Sequence, residues 1–220
     1  MKKKVLLSIF IVACIGLFLG AGVYSLFQDV ETTTANTFAA GTLDLQVGAT
    51  NPTTEKINFP ALKPGDTNAT AASWQMQNLG TVPGNLNIST NAITNYENTR
   101  SAIETAAGDT TGGATEGELG GSLTVAFWTD ITNNGWSTGD YYLTPAGTTV
   151  PWGTGEVTLP PAAYSLLDNY NSDTWSNVQT NLGAGSIGYF KVAYDLPSAT
   201  TNVIQSDNST FDITFTLTQT

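Results

Sequence analysis

Short runs in which apolar and polar residues alternate recur along this chain of 220 residues. The clearest run is STFDITFTLTQ near the C-terminus, where Phe211, Ile213, Phe215 and Leu217 alternate with polar residues. Successive side chains of a β-strand point to opposite faces, so this pattern predicts a strand with one buried face. Similar runs are TLDLQVG, SWQMQNLG, GNLNIST, GSLTVAFWTD and GYFKVAYDLP. A chain built of such runs is predicted to form antiparallel sheets.

Turn-forming residues separate these runs, in stretches such as LKPGDT, TVPGN and TNNGW. Helix signals are confined to Thr94–Gly108 and to PPAAYSLLDNY, residues 160–170. We therefore predict an all-β fold: a two-sheet jelly-roll β-sandwich with one or two short helices and an extended N-terminal segment. One domain, residues 41–220, is predicted to hold the sandwich.

The N-terminus has the pattern of a signal peptide. Three lysines at positions 2–4 precede an apolar run of 19 residues, Val5 to Val23. Val23 and Ser25 are small enough for the −3 and −1 positions, which predicts cleavage after Ser25 and a signal peptide over residues 1–25. An uncleaved run of this length could also span a bilayer. We expect a secreted, extracellular protein that touches the membrane only through its leader before cleavage.

Charge and composition exclude several function classes. The net charge is −11, and removal of three leader lysines leaves 4 − 18 = −14, which repels nucleic acid and anionic lipid. The sequence has no histidine, and its single cysteine, Cys14, lies in the leader. These absences argue against Ser/His or Cys/His catalysis and against HExxH zinc sites, so we predict no enzyme activity. The acidic pair Glu116 and Glu118 lies in a glycine-rich loop and is interpreted as solvated.

One segment, DITNNGWSTGD, suggests a metal hypothesis. Asp130, Thr132 and Asn134 stand at alternate positions, Gly135 follows, and Asp140 comes later. Oxygen donors at positions 1, 3 and 5 with glycine at position 6 are typical of loops that wrap calcium. The alternative is a hairpin turn in which the Asn-Gly pair supplies positive φ. Calcium is the only cofactor that the sequence suggests.

Three sequons permit N-glycosylation, at Asn68, Asn87 and Asn208. Asn87 falls at an outward-facing position of its predicted strand, which would leave its side chain accessible. Sequons also arise by chance in a chain this rich in asparagine and threonine. Their glycosylation is therefore left open.

The leader-to-strand junction, GAGVYSLFQDVETTTANTFAAGTLDLQVG, resembles the signature of the TasA/camelysin family of secreted proteins. The shared features are Phe27-Gln28-Asp29, an acidic threonine-rich stretch, and then NTF and AGTLDL. Two further stretches are similar to the family. One is LKPGDT followed by a strand that ends in N-x-G, and the other is a closing strand after a Q-x-D turn. Residues 92–185 do not align with it.

The resemblance implies a jelly-roll subunit that polymerises head to tail into extracellular fibres, either biofilm-matrix filaments or bundling pili. In this family the N-terminal segment of one subunit inserts into the sheet of its neighbour. The corresponding donor segment is residues 26–40. Its key residues are Leu26, Phe27, Asp29, Val30, Glu31 and Phe38. Its run LFQDVETTT contains no Pro or Gly, and an open sheet edge can accept such a strand. The partners implied are other copies of the chain, with lateral bundling in addition.

Other interpretations stay open at this point. Residues 26–40 could be a linker or could pair within their own domain. The chain could also be a monomeric extracellular module that binds carbohydrate or protein at the cell surface. Four tryptophans would then serve as stacking platforms: Trp128, Trp136, Trp152 and Trp175. Some family members are labelled metalloproteases, an activity that the absence of histidine argues against.

Overall fold

Twelve β-strands and one short α-helix make up the part of the chain that the computed structural model describes, residues 41–50 and 62–219. The elements are β1 Leu45–Val47, β2 Thr67–Asn78, β3 Gly84–Thr90, β4 Thr94–Tyr96, α1 Ala102–Ala107, β5 Thr124–Asp130, β6 Tyr141–Thr144, β7 Thr148–Pro151, β8 Ser165–Leu166, β9 Thr174–Leu182, β10 Ile187–Asp195, β11 Asn208–Thr210 and β12 Ile213–Gln219. The predicted signal peptide, its cleavage site and the predicted donor segment lie outside the described residues. No helix within the described ranges is long and apolar enough to cross a membrane.

The strands form two facing sheets. The larger sheet has the order β1-β2-β10-β5-β6-β7, with β8 also paired to β5, and the smaller has the order β12-β3-β9. A separate two-stranded sheet joins β11 to β4. All of these pairings are antiparallel. The predicted all-β class and the two-sheet arrangement are confirmed.

The main core lies between the two sheets and follows the alternation seen in the sequence. In β3, Leu86 and Ile88 point inward and are 0% and 1% exposed, whereas Asn85 and Asn87, which alternate with them, remain half-buried on the outer side. Opposing side chains come from the larger sheet and include Met76, Phe127, Phe190 and Val192. Period-two alternation therefore placed the inner faces of these strands correctly.

The large sheet is also covered on part of its other face, which explains why β5 does not alternate in burial. Every residue of β5 after Thr124 is buried. On the outer face, Trp128 packs against Trp136, with ring centroids 5.9 Å apart, and Trp136 against Tyr142 at 5.8 Å. Because both faces of β5 are buried, burial does not alternate along the strand as it does where one face is exposed to solvent.

The prediction of a helix over Thr94–Gly108 was wrong in its first half. Thr94–Tyr96 is strand β4, paired with β11, and only the six residues of α1 are helical. The Ser101 hydroxyl accepts the Glu104 N–H at 3.2 Å, and the Glu104 carboxylate accepts the Ser101 N–H, forming a capping box. Residues 94–96 form a strand because they pair with β11, a partner so distant in sequence that a local pattern cannot indicate it.

The second predicted helix, residues 160–170, is replaced by two 3₁₀ turns, Pro161–Ala163 and Leu167–Tyr170, on either side of β8. Strand β8 pairs with the start of β5, and this pairing interrupts the helical path. Tyr170 is fully buried, and its hydroxyl donates to the Leu143 carbonyl oxygen at 3.1 Å. Tertiary contacts thus overrode helix propensity here.

The N-x-G motif at the end of β2 has a structural role. The buried Asn78 amide donates to the carbonyl oxygens of Val82 and Leu182, each at 2.9 Å, and its Oδ1 accepts the Gly80 N–H at 2.9 Å. A Cβ on Gly80 would lie 2.2 Å from the Thr42 carbonyl oxygen, so no larger residue fits there. The motif therefore connects the end of β2 to the opposite sheet through β9.

Candidate functional site

Strand β12 forms one edge of the smaller sheet. It pairs with β3 along its whole length, from Ile213 opposite Thr90 to Gln219 opposite Gly84. Within the described ranges, no strand pairs with its other side. The backbone groups that point away from β3 thus have no strand partner in the part of the chain that the structure describes, and such an edge can accept another strand.

A second edge is open on the facing sheet. Strand β2 pairs with β10 on one side, but on the other side β1 covers only Met76, Gln77 and Asn78. Along residues 67–74, no described strand lies next to this side of β2. Among the described residues, the larger sheet thus continues beyond β2 only as the short strand β1.

Both open edges border the same side of the sandwich. The ring of Phe215 on β12 packs against Trp74 of β2, at a centroid distance of 6.2 Å, and against Phe190 of β10 at 5.2 Å. At the other end of the smaller sheet, Trp175 of β9 donates to the Thr144 carbonyl oxygen of β6 at 2.7 Å. Strand β12 therefore lies over β2, and β9 lies over β6.

The apolar face of β12 is less covered than that of its neighbour. Ile213, Phe215 and Leu217 are only half-buried, although they pack on the main core. Their counterparts on β3, Leu86 and Ile88, are almost completely buried. The core side chains are thus less buried towards one side of the sandwich. We call this side, which is bounded by the outer edges of β2 and β12, the open side.

The predicted calcium ligands lie together in the loop between β5 and β6, but they already bind each other and the backbone. Asp130 Oδ2 accepts from Lys191 Nζ at 2.7 Å and from the Gly135 N–H at 2.9 Å. Asp130 Oδ1 accepts the N–H groups of Thr132 and Asn134, at 3.1 and 3.3 Å. These donors neutralise the carboxylate without a metal ion.

Asp140 is bound in the same manner. It accepts the N–H groups of Ile131 and Ser137, at 3.0 and 2.7 Å. Positive φ occurs at Asn133 and Gly135 but not at Asn134, so the Asn-Gly pair of the hairpin alternative supplies positive φ only at its glycine. The geometry favours a hydrogen-bonded loop, and calcium binding in it stays a prediction.

The tryptophans proposed as stacking platforms are mostly inaccessible. Trp128, Trp136 and Trp175 are 3%, 6% and 0% exposed, and Trp152 is half-buried with its Nε1–H bound to the Glu156 carbonyl oxygen at 2.7 Å. The structure thus leaves the alternative of a tryptophan-lined binding module only the partly exposed Trp152 among these side chains.

The three sequons lie on strands. Asn68 in β2 and Asn208 in β11 are exposed. Asn87 in β3 is half-buried, and its Oδ1 accepts the Asn177 N–H at 2.8 Å. Glycosylation of these residues stays a prediction.

An acidic cluster that the sequence interpretation missed lies beside the small sheet. It consists of Glu97, Glu104, Asp109, Glu118 and Asp207. Glu118 had been interpreted as solvated together with Glu116, but Glu118 is half-buried in this cluster and only Glu116 is exposed. Burial, together with the charges of Glu97, Glu118 and Glu104, raises the pKa of Asp207 to about 6. No local signal could have found a set whose members are up to 110 residues apart.

Comparison with known proteins gives a family assignment for the whole chain. A family model described as camelysin metallo-endopeptidase matches residues 1–220. Among curated proteins, no match was found. The motifs at the leader junction, at N-x-G and at the closing strand had indicated the same relationship, and this prediction is confirmed. The chain therefore belongs to the camelysin family, which includes TasA.

Proposed function

We propose that this protein is the structural subunit of an extracellular filament and that its N-terminal segment inserts into the open side of a neighbouring subunit. Membership of the camelysin family supports an extracellular structural or biofilm-related role. The observation that carries the proposal is the half-buried apolar face of β12 beside two sheet edges that lack a strand partner among the described residues. Such an edge accepts an extended segment through main-chain hydrogen bonds and side-chain pockets.

The chemistry of residues 26–40 matches this acceptor. Leu26, Phe27, Val30 and Phe38 would cover the half-buried side chains of β12, and the threonines favour an extended backbone. Each net backbone hydrogen bond would contribute about 0.5–1.5 kcal/mol. Each buried anchor would add about 1.5–3 kcal/mol. Because donor and acceptor are different surfaces, the contact is heterologous and its repetition generates an open filament.

The family description names a metallo-endopeptidase, but the residues of this chain do not fit a zinc peptidase centre. Catalytic zinc in peptidases is held by imidazole ligands, and the sequence contains no histidine. The acidic cluster offers carboxylate oxygens alone, a donor set that suits hard cations such as calcium or magnesium. We therefore propose a structural role and derive no proteolytic step.

The test compares the chain that begins at residue 26 with one that begins at residue 37, by negative-stain electron microscopy under the same conditions. We expect filaments only from the longer chain. A synthetic peptide of residues 26–40 should bind the shorter chain and raise its melting temperature, whereas a peptide with Phe27 and Val30 replaced by Asp should not. Filaments of equal number and length from the shorter chain would contradict the proposal.

A further inference from the structure

Five carboxylates from separate segments meet beside the sheet of β4 and β11. Glu97 follows β4, Glu104 lies on α1, Asp109 follows α1, Glu118 precedes β5, and Asp207 precedes β11. Oxygens of Glu97, Glu104 and Asp207 lie within 4.8 Å of one another, and so do oxygens of Glu97, Asp109 and Glu118. Glu97 is common to both groups and is therefore the centre of the cluster.

Several of these oxygens are buried without any hydrogen-bond partner. Glu97 is 7% exposed, and neither of its carboxylate oxygens accepts a well-formed hydrogen bond; the Thr99 N–H is the one donor near enough to lower its pKa, and its geometry is too poor to satisfy an oxygen. Asp109 is 6% exposed and leaves its Oδ2 without a partner; the same is true of Glu118 Oε2 and Asp207 Oδ1. A buried acceptor without a partner is costly, and a buried charge without a partner is more so. Five such oxygens in one place indicate a site that a cation would stabilise.

The other oxygens of the cluster are held in place by the protein. The Thr111 hydroxyl lies 2.7 Å from Asp109 Oδ1 and 2.6 Å from Glu118 Oε1, and the Glu118 N–H donates to Asp207 Oδ2 at 2.6 Å. Each of these carboxylates thus has one oxygen fixed by the protein and its second oxygen without a partner. This is the arrangement expected of orientated ligands.

Among the described residues, no side-chain cation forms an ion pair with the cluster. Between residues that the structure describes, the only ion pair joins Lys191 to Asp130, in a different part of the sandwich. Besides the hydrogen bond from the Thr111 hydroxyl, the charge of Arg100 acts on Asp109 and helps to lower its pKa. Arg100 nevertheless forms no ion pair with the cluster, and its Nη1 donates to the Thr111 carbonyl oxygen at 2.7 Å.

We propose that this acidic cluster binds calcium, with Glu97 as the shared ligand and Glu104, Asp109, Glu118 and Asp207 as the others. Carboxylate oxygens are the donors that hard cations prefer. Magnesium is usually bound through one or two carboxylates and keeps several of its waters, whereas calcium accepts about six to eight oxygen ligands in a flexible geometry. A set of five carboxylates from separate segments therefore suits calcium better. Of the five ligands, Asp207 also lines a cleft, together with Lys63, Ile103 and Ile204.

Bound calcium would connect α1 and the loop before β5 to the segment that leads into β12. It would thus fasten the long insertion between β4 and β5 to the C-terminal part of the chain. Because the metal-free cluster repels itself, the ion should stabilise the fold by binding only the folded state. This effect is independent of the donor-strand proposal.

The test measures thermal unfolding and binding heat of the purified protein, first depleted with EDTA and then titrated with CaCl₂. At a free calcium concentration about 100 times the Kd, we expect the Tm to rise by roughly 5–10 °C. Glu97→Gln should raise the Tm in EDTA, because it removes a repelling charge, and should abolish the calcium-dependent rise. Glu118→Gln is a second variant with the same expectation, in case Glu97→Gln does not fold.

The matched control is Glu116→Gln, an exposed acid in the same loop, which should keep the full calcium response. Asn134→Ala tests the loop between β5 and β6 and should also leave the response unchanged. No heat and no Tm shift in the parent protein would overturn the proposal, as would a full calcium response in both Glu97→Gln and Glu118→Gln. Loss of the response in Asn134→Ala with retention in Glu97→Gln would place the ion in the other loop and equally refute it.

Discussion

At the scale of single residues, the buried pair of Lys191 and Asp130 connects the large sheet to the loop after β5. Lys191 Nζ lies 2.7 Å from Asp130 Oδ2 and 5.2 Å from the centroid of the Trp128 ring. Burial acts to raise the pKa of Asp130, but hydrogen bonds from Lys191 and the Gly135 N–H outweigh it, and the pKa is lowered. One carboxylate therefore depends on a single cation for its charge balance.

Replacement of Lys191 by Met is expected to destabilise the protein by about 3–5 kcal/mol at pH 7, because it leaves a buried carboxylate without its cation. In the parent protein the lowered pKa of Asp130 contributes stability above its ordinary value of about 4, and this contribution is lost as the pH falls through the folded-state pKa. In Lys191→Met burial is less opposed, so the pKa of Asp130 should rise. The stability deficit should therefore shrink between pH 7 and about pH 4. Urea unfolding across this range measures it.

The control is the double variant Lys191→Met with Asp130→Asn, which should cost less than the sum of the two single changes. Asp140, whose pKa is raised by burial and by the charge of Asp130, is present in the parent and in every variant. Its pKa should fall where Asp130→Asn removes the neighbouring charge, so the pH comparison is made between the parent and Lys191→Met, which both keep Asp130. An equal deficit of Lys191→Met at pH 7 and pH 4 would show that the pair contributes packing and no electrostatic stabilisation.

At the scale of elements, strand β12 combines intramolecular pairing on one side with an open edge on the other. Leu217→Lys places a charge on its half-buried inner face, while Thr216→Lys places the same charge on its exposed outer face. We expect Leu217→Lys to cost about 1–2 kcal/mol in the stability of the subunit. It should also raise the critical concentration for filament assembly more than about tenfold, equal to 1.4 kcal/mol. Sedimentation of filaments at several concentrations measures this threshold.

Thr216→Lys is the matched control and should change both quantities little. If both lysine variants assemble like the parent chain, the inner face of β12 is not covered in the filament. Circular dichroism of both variants separates a loss of assembly from a loss of folding.

The elements differ in how far sequence alone could predict them. Strands such as β3 and β12 repeat their pattern over seven residues, and their inner faces were identified correctly. Strand β4 has three residues and depends on β11, more than 100 residues away, so a local pattern predicted helix there. The acidic cluster was missed for the same reason, since its geometry is created by the packing of distant loops. The open edges depend on the order of the strands within each sheet, and the alternation of polar and apolar residues within a strand does not encode that order.

At the scale of the whole molecule, the dominant property is a strongly negative net charge, because acidic residues far outnumber basic ones. Removal of residues 1–25 would leave four basic and eighteen acidic residues. Of those four basic residues, Lys191 is already buried against Asp130. Subunits that approach one another must therefore overcome mutual repulsion, although the proposed contact itself is made by apolar side chains and backbone hydrogen bonds.

Assembly is thus expected to accelerate with ionic strength. The Debye length falls from about 30 Å at 0.01 M salt to about 8 Å at 0.15 M, so that repulsion between neighbouring subunits is screened while strand pairing is little affected. The half-time of filament growth, followed by light scattering at fixed protein concentration, should shorten over this range of NaCl. The experiment is run in EDTA, so that the acidic cluster is free of calcium. It is then repeated with Glu97→Gln. This variant should show the same salt dependence, with a slightly shorter half-time at low salt. Growth that slows as NaCl is added would mean that ion pairs hold the subunits together, and the repulsion argument would then be wrong.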